Sequence, residues 1–322
     1  MRVESGRAEY GLIVAGGVGG LQDLRPTRGM ALNERWRPIA PLSIPRIYAC
    51  SAVLEDEDGQ PEMWVMGGYD GDDVRAAVEA YNPRTNEWRS CLSLSQRRMG
   101  AVAGVVGGRL IVAGGGAPGV GHLISVEAYS PTGWTPLPRL PHAAEAATAC
   151  VLNGRLYVMG GRGCNKLQVL EMSDENEFSW SLRAELPSER HDAACVVFDG
   201  KLWLMGGYVP YELDAFEAEI AEEFEHYNYA SSVDIYDPNL DSWAAGPELP
   251  FPLSWCSACV HDGKIRVLGI NEADWDGSRH AEFHFVHEND GSRQWWEMAS
   301  CERQPGMWLK PDHSTCKSVL LG

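Results

Sequence analysis

The stretch that decides the fold is Arg46–Trp88, read in three pieces: RIYACSAVL (46–54), MWVMGGYDG (63–71) and VEAYNPRTNEW (78–88). A small-residue run, an apolar run ending in Gly67-Gly68, and an alternating run ending at Asn82-Pro83 follow one another, with Trp88 closing the set. Alternation broken by Gly, Asn and Pro is the pattern of strands joined by turns. The stretch therefore reads as four strands, a to d.

The same pattern recurs along the chain. The apolar run and glycine pair appear as LIVAGG ending at Gly17, MWVMGG at Gly68, LIVAGG at Gly115, LYVMGG at Gly161 and LWLMGG at Gly207, with a decayed copy, IRVLGI, ending at Ile270. A tryptophan follows in phase: Trp36, Trp88, Trp134, Trp180, then Trp243 after an insertion, and Trp295 or Trp296. Strand a precedes each apolar run, as in ATACVLNG (147–154), AACVVFDG (193–200) and SACVHDG (257–263). These end in Asn-Gly or Asp-Gly, the preferred two-residue hairpin turns.

A four-stranded twisted sheet cannot bury both faces by itself; units stacked radially around an axis can. The glycine pair admits close backbone approach, and the tryptophan supplies a large apolar plate between units. The chain opens at a strand b, Tyr10–Ala15, and ends in HSTCKSVLLG (313–322), which reads as a strand a. Ser314–Leu321 is thus expected to pair with Tyr10–Val14 and close the ring. The expectation is an all-β, six-bladed propeller, one domain over 1–322 with its core at 10–321.

The period, the Gly-Gly after strand b, the Tyr before Asn-Pro or Asp-Pro and the following Trp resemble the Kelch repeat over nearly the whole chain. WD40 repeats are a poorer fit, because the in-phase tryptophans are not followed by Asp. The resemblance extends to the Kelch propellers of ubiquitin-ligase substrate adaptors, although no BTB or F-box segment is read in this sequence. It implies a binding scaffold that captures a protein or peptide. It leaves open a small-molecule propeller enzyme of the sugar epimerase or lyase-like kind, and a cytoskeletal or structural binding role.

The net charge of −18 disfavours nucleic acid and anionic membrane surfaces as partners. No apolar stretch has the length of a membrane span. Nine cysteines without a disulfide-type framework, and no Asn-x-Ser/Thr sequon, point to the cytoplasm or nucleus.

No motif calls for a cofactor, a metal or a catalytic group. Gly114, Gly116 and Gly119 match G-x-G-x-x-G, but Pro118 and a following strand argue against a dinucleotide site. Cys256 and Cys259 stand three apart on a strand and point to opposite faces. Cys50, Cys150, Cys195, Cys259 and Cys316 fall in strands a, where small buried residues fit the axis. His191, His313 and Glu145 near the channel mouth lack zinc-type spacing.

In a meander, a–b and c–d turns share one face, and b–c and d–a loops the other. The longer and more varied loops lie on the second face, where a partner is expected. The d–a segments carry Arg46, Arg97, Arg98 and Arg190, read as a ring able to hold an acidic peptide. Trp255, Trp275 and Trp308 lie outside the repeat position on this face and are candidate anchors. An acidic insertion, 208–231, occupies the b–c loop of blade five. Phe216, Ile220 and Phe224, spaced by four behind Asp214 and Glu217, predict a short amphipathic helix there.

Overall fold

The computed structural model describes residues 13–14, 29–33, 35–210, 227–261, 264–270, 280–287 and 293–297. Among the described residues six antiparallel blade sheets follow one another, one of three strands and five of four, with two small two-stranded ribbons between their strands. Blade two has strands a to d at Cys50–Glu55, Pro61–Met66, Val78–Asn82 and Glu87–Cys91. Blade three repeats them at Val102–Val106, Arg109–Ala113, Val126–Ser130 and Gly133–Leu137. Blade four has Thr148–Leu152, Arg155–Met159, Leu167–Met172 and Phe178–Arg183. Blade five has Ala194–Phe198, Lys201–Met205, Val233–Asp237 and Ser242–Ala245. Blade six has Ser254–His261, Lys264–Ile270, His280–His287 and Arg293–Glu297. Blade one shows strands b, c and d at Ile13–Val14, Gly29–Asn33 and Arg35–Ile39. The closing strand expected at Ser314–Leu321 lies outside the described residues.

Strands a of blades two to six sit side by side around an axis, each touching the next. Among the described residues the core lies between blades, as one apolar cluster at each interface from blades one and two to blades five and six. Trp64, Met66, Val78, Leu110 and Val112 fill the interface of blades two and three. Ile111, Ala113, Leu156, Val158 and Leu170 fill the next.

Both repeat signatures couple neighbouring blades. In the four described pairs the second glycine donates its backbone N–H to the next blade, from Gly68 to Arg98 O at 2.8 Å, Gly115 to Ala144 O at 2.8 Å, Gly161 to Arg190 O at 2.9 Å and Gly207 to Leu253 O at 2.7 Å. Gly115 holds φ +90°, and a Cβ there would stand 2.6 Å from Met99 O. Only glycine accepts both conditions. The in-phase tryptophans of blades two to five reach backwards: the indole N–H of Trp88 donates to Ala40 O, Trp134 to Leu92 O, Trp180 to Pro138 O and Trp243 to Ala184 O, at 2.8–2.9 Å. The plate that fills the interface therefore also satisfies a carbonyl of the preceding blade.

The expected helical insertion in blade five is corrected. There is no helix among the described residues. The stem of the insertion is a two-stranded ribbon, with Tyr208–Pro210 paired to Tyr227–Tyr229. Tyr208, Val209, Tyr227 and Tyr229 favour a pleated conformation, and cross-strand pairing of Tyr208 with Tyr229 stabilises it. Residues 211–226, on which the helical spacing fell, lie outside the described residues.

Candidate functional site

The two faces differ in loop length. On one, a–b turns are tight apart from the loop 56–60 of blade two: Asn153-Gly154 and Asp199-Gly200 both take positive φ at each residue, as hairpin turns of this kind require. On the other, b–c loops are longer. Tyr69–Arg75 forms a turn in which the Asp70 carboxylate accepts from the Asp72 and Asp73 N–H groups. Gly116–Ala117 pairs with Gly121–His122 as a small hairpin. The G-x-G-x-x-G match therefore builds a hairpin with no helix behind it.

Arg46, Arg98 and Arg190 do not line this face as an open ring. Each is at least 97% buried and ties the d–a segment to strand c of its own blade. Arg46 pairs with Glu79 at 2.5 Å, Arg98 with Glu127 at 2.8 Å and Arg190 with Asp234 at 2.8 Å. The guanidinium groups also donate to backbone carbonyls, Arg46 to Gly67 and Ala77, and Arg98 to Gly114 and Ser125. Burial lowers the Arg46 and Arg190 pKa values, opposed by their acids, and raises that of Asp234.

The acid has a second task. Glu79 accepts from Ser43 N–H at 3.0 Å and Glu127 from Ser95 N–H at 2.8 Å, pinning the loop before the arginine. In blade four the arginine position is Ala144 and the acid position is Gln168. Gln168 Oε1 still accepts from His142 N–H at 2.8 Å. Charge disappears from both positions together while the loop-pinning bond stays. That is what the cost of an unpaired buried charge demands. Blade six places Leu253 at the arginine position, and its strand register puts Phe283 at the acid position.

Two residues beyond the arginine position, the chain turns into strand a through a positive-φ residue in blades two to six: Tyr48, Gly100, Ala146, Asp192 and Trp255. Their backbones form a hydrogen-bonded arc around the mouth. Gly100 N–H donates to Tyr48 O at 2.8 Å, Ala146 to Gly100 O at 2.9 Å, Asp192 to Ala146 O at 2.8 Å, and Cys256 to Asp192 O at 3.0 Å. The last link moves one residue along because a register shift lies between Ser254 and Ser257.

The side chains on this frame differ from blade to blade. Ile47 and Met99 make one side apolar. Glu145, His191, Asp192 and Ser254 make the other polar. Glu145 pairs with His122 at 2.8 Å. His191 Nδ1 lies 3.0 Å from Asp192 Oδ2, and the imidazole stacks on Tyr208 at 4.9 Å between ring centres. Tyr208 meets Tyr229 and Trp255 edge to face at 5.0 and 5.8 Å, and burial pushes its hydroxyl well above the usual pKa.

Of the residues read as partner anchors, Arg97 is exposed and pairs with Asp73 at 2.6 Å, and Trp255 is half-buried on the arc. Trp275 and Trp308 lie outside the described residues. Arg162, exposed in the b–c loop of blade four, was not singled out by sequence, nor were His122, Tyr208 and Tyr229. Their signal was positional: the residue after each glycine pair (Tyr69, Gly116, Arg162, Tyr208) stands beside the residue before the arc.

Below the arc, strands a enclose a cavity of about 450 Å³. Its described lining is mostly Ala, Val, Gly, Ser and Cys, with no acid or base. No cluster of three metal-ligating side chains occurs among the described residues, and no described helix is long and apolar enough to cross a membrane.

Comparison with known proteins agrees with this architecture. The Kelch motif profile matches residues 60–94 and 189–250. Kelch repeat-containing protein kel-10 of Caenorhabditis elegans is 30% identical over 105 residues, which are 32% of this chain and 18% of the relative. Kelch-like protein 4 of Homo sapiens is 35% identical over 74 residues, 23% of this chain and 10% of the relative. F-box protein AFR of Arabidopsis thaliana is 32% identical over 123 residues, 37% of this chain and 31% of the relative. The matches thus span under a third of each relative's length. The solved structure of YjhT superposes with a TM-score of 0.70 at 15% identity, covering 89% of this chain and 98% of that one; this likeness concerns the fold. The chain thus carries Kelch motifs in a β-propeller fold and is similar, over part of its length, to Kelch-like proteins.

Proposed function

We propose that this propeller is a protein-interaction module that holds a partner segment on the face of the b–c and d–a loops. The observation that carries the reading is the arc at the mouth. A positive-φ residue recurs at the same place in five blades, while its identity (Tyr48, Gly100, Ala146, Asp192, Trp255) changes in each, and Tyr48 and Trp255 keep part of their surface open. The glycine pairs and tryptophans repeat because the fold needs them. Residues that change from blade to blade on this rim and in the b–c loops beside it, with Tyr48, Trp255, Arg97 and Arg162 reaching the surface, suit recognition of an asymmetric partner.

The arginines buried in blade-internal pairs are spent on the frame. Arg97 and Arg162 remain on the face beside Asp70, Asp72, Asp73 and Glu145, which suits a segment of mixed charge better than a purely acidic one. Curated relatives include an F-box protein and a Kelch repeat and BTB domain-containing protein. Substrate recognition for a ubiquitin ligase in the cytoplasm or nucleus is the finer form of this proposal.

The test is capture from lysate by three versions of the chain. Arg97→Glu/Arg162→Glu/Trp255→Ala alters the loop face. Arg84→Glu/Asp174→Lys/Leu240→Lys alters exposed c–d turns on the other face. A partner retained by wild type and the second variant, and lost by the first with its fold intact, supports the reading. Loss only with the second variant refutes it.

A further inference from the structure

Two thiols face one another across the interface of blades four and five. Successive side chains on a strand point to opposite faces. On strand a of blade four, Ala149 packs into the cluster shared with blade three, so Cys150 and Leu152 turn toward blade five. On strand a of blade five, Ala194 and Val196 pack toward blade six, so Cys195 and Val197 turn back toward blade four. Cys150 and Cys195 therefore enter one cluster from opposite sides.

Their heights match as well. The bond from Asp192 N–H to Ala146 O, at 2.8 Å, sets the two strands in register just before the cysteines. After burial, the neighbouring Cys150 thiol is the next influence that raises the Cys195 pKa. Both keep part of their surface open, and Cys195 lines the cavity, so a small oxidant in the channel reaches the pair.

We propose that Cys150 and Cys195 are a reversible oxidation site, closing to a disulfide that joins blades four and five beneath the mouth. With a peroxide as oxidant, one thiolate attacks a peroxide oxygen. The O–O bond breaks, leaving a sulfenic acid and, after protonation, water. The second thiol attacks the sulfenic sulfur, the S–S bond forms, and a second water leaves. Two thiols are oxidised and one hydrogen peroxide is reduced to two waters. A dithiol reductant reverses the step by exchange. Burial holds Cys195 protonated well past the usual thiol range, so closure quickens as pH rises.

The experiment treats the full chain with hydrogen peroxide, blocks remaining thiols by alkylation, and maps peptides without reduction. The expected product is a single bridged peptide containing Cys150 and Cys195, two hydrogens lighter than the separate peptides and lost on dithiothreitol treatment. A loop closed across one blade raises the melting temperature by roughly 5 °C. Cys150→Ser and Cys195→Ser each remove the bridged peptide and the shift. Cys150→Ala and Cys195→Ala serve the same purpose if serine in the interface harms folding. Independent alkylation or over-oxidation of the two cysteines with no bridged peptide overturns the proposal, as does a bridge from either one to another cysteine.

Discussion

Replacing Arg98 and Glu127 singly and together tests why blade four lacks both charges. Arg98→Ala leaves the Glu127 carboxylate 2% exposed without its cation. The carboxylate keeps only the Ser95 N–H and hydroxyl bonds at 2.8 and 2.6 Å. Breaking a buried pair in this way costs about 4 kcal/mol. Glu127→Gln retains the Ser95 bond, as Gln168 does with His142, and Arg98 keeps its carbonyls; about 2 kcal/mol is lost with the charge-assisted bond. Independent effects would sum to about 6 kcal/mol, whereas the double variant reproduces the pattern of blade four and costs about 3 kcal/mol. The assay is a double-mutant cycle from urea unfolding midpoints, with slopes compared among variants. Additive single costs would refute the argument that the two positions exchange charge as a unit.

Gly115→Ala forces a side chain onto a φ of +90° and toward Met99 O, and is expected to cost about 3 kcal/mol or more, read from the same unfolding curves. Trp134→Phe keeps an aromatic plate but removes the N–H bonded to Leu92 O; a loss of about 1–2 kcal/mol is expected by the same assay. Burial pushes the Cys256 thiol up to about 12, from an ordinary value of 9.0. The native chain therefore holds a proton that the unfolded chain releases, and stability falls as pH rises between these values. The Cys256 contribution to that fall reaches about 1.4 kcal/mol per unit above the unfolded value. Unfolding measured from pH 7 to 10 is expected to show it in wild type and not in Cys256→Ser.

The frame was legible in the sequence because backbone geometry imposed it. Gly67-Gly68 and its copies, the Asn-Gly and Asp-Gly turns, and Trp88, Trp134, Trp180 and Trp243 each answer a constraint that recurs from blade to blade. The buried arginine–acid pairs were half legible. Arg46, Arg98 and Arg190 stood out, but their acids lie on strand c, and only the fold shows that the guanidinium groups turn inward. The joint change to Ala144 and Gln168 was the available sign. The mouth was least legible. Glu145, Arg162 and Tyr208 belong to a site through their place after a glycine pair or before the arc, not through a residue type. The spacing of Phe216, Ile220 and Phe224 predicted a helix, while the described stem of that insertion is a tyrosine-rich ribbon.

Hydrogen–deuterium exchange of the chain with and without a captured partner bears most directly on the proposed binding face. The account predicts slowed exchange in 69–75, 116–122, 162–166 and 253–256, with the turns at 82–87, 173–177 and 237–241 unchanged. Slowed exchange in those turns, with the loop face unaffected, would contradict it.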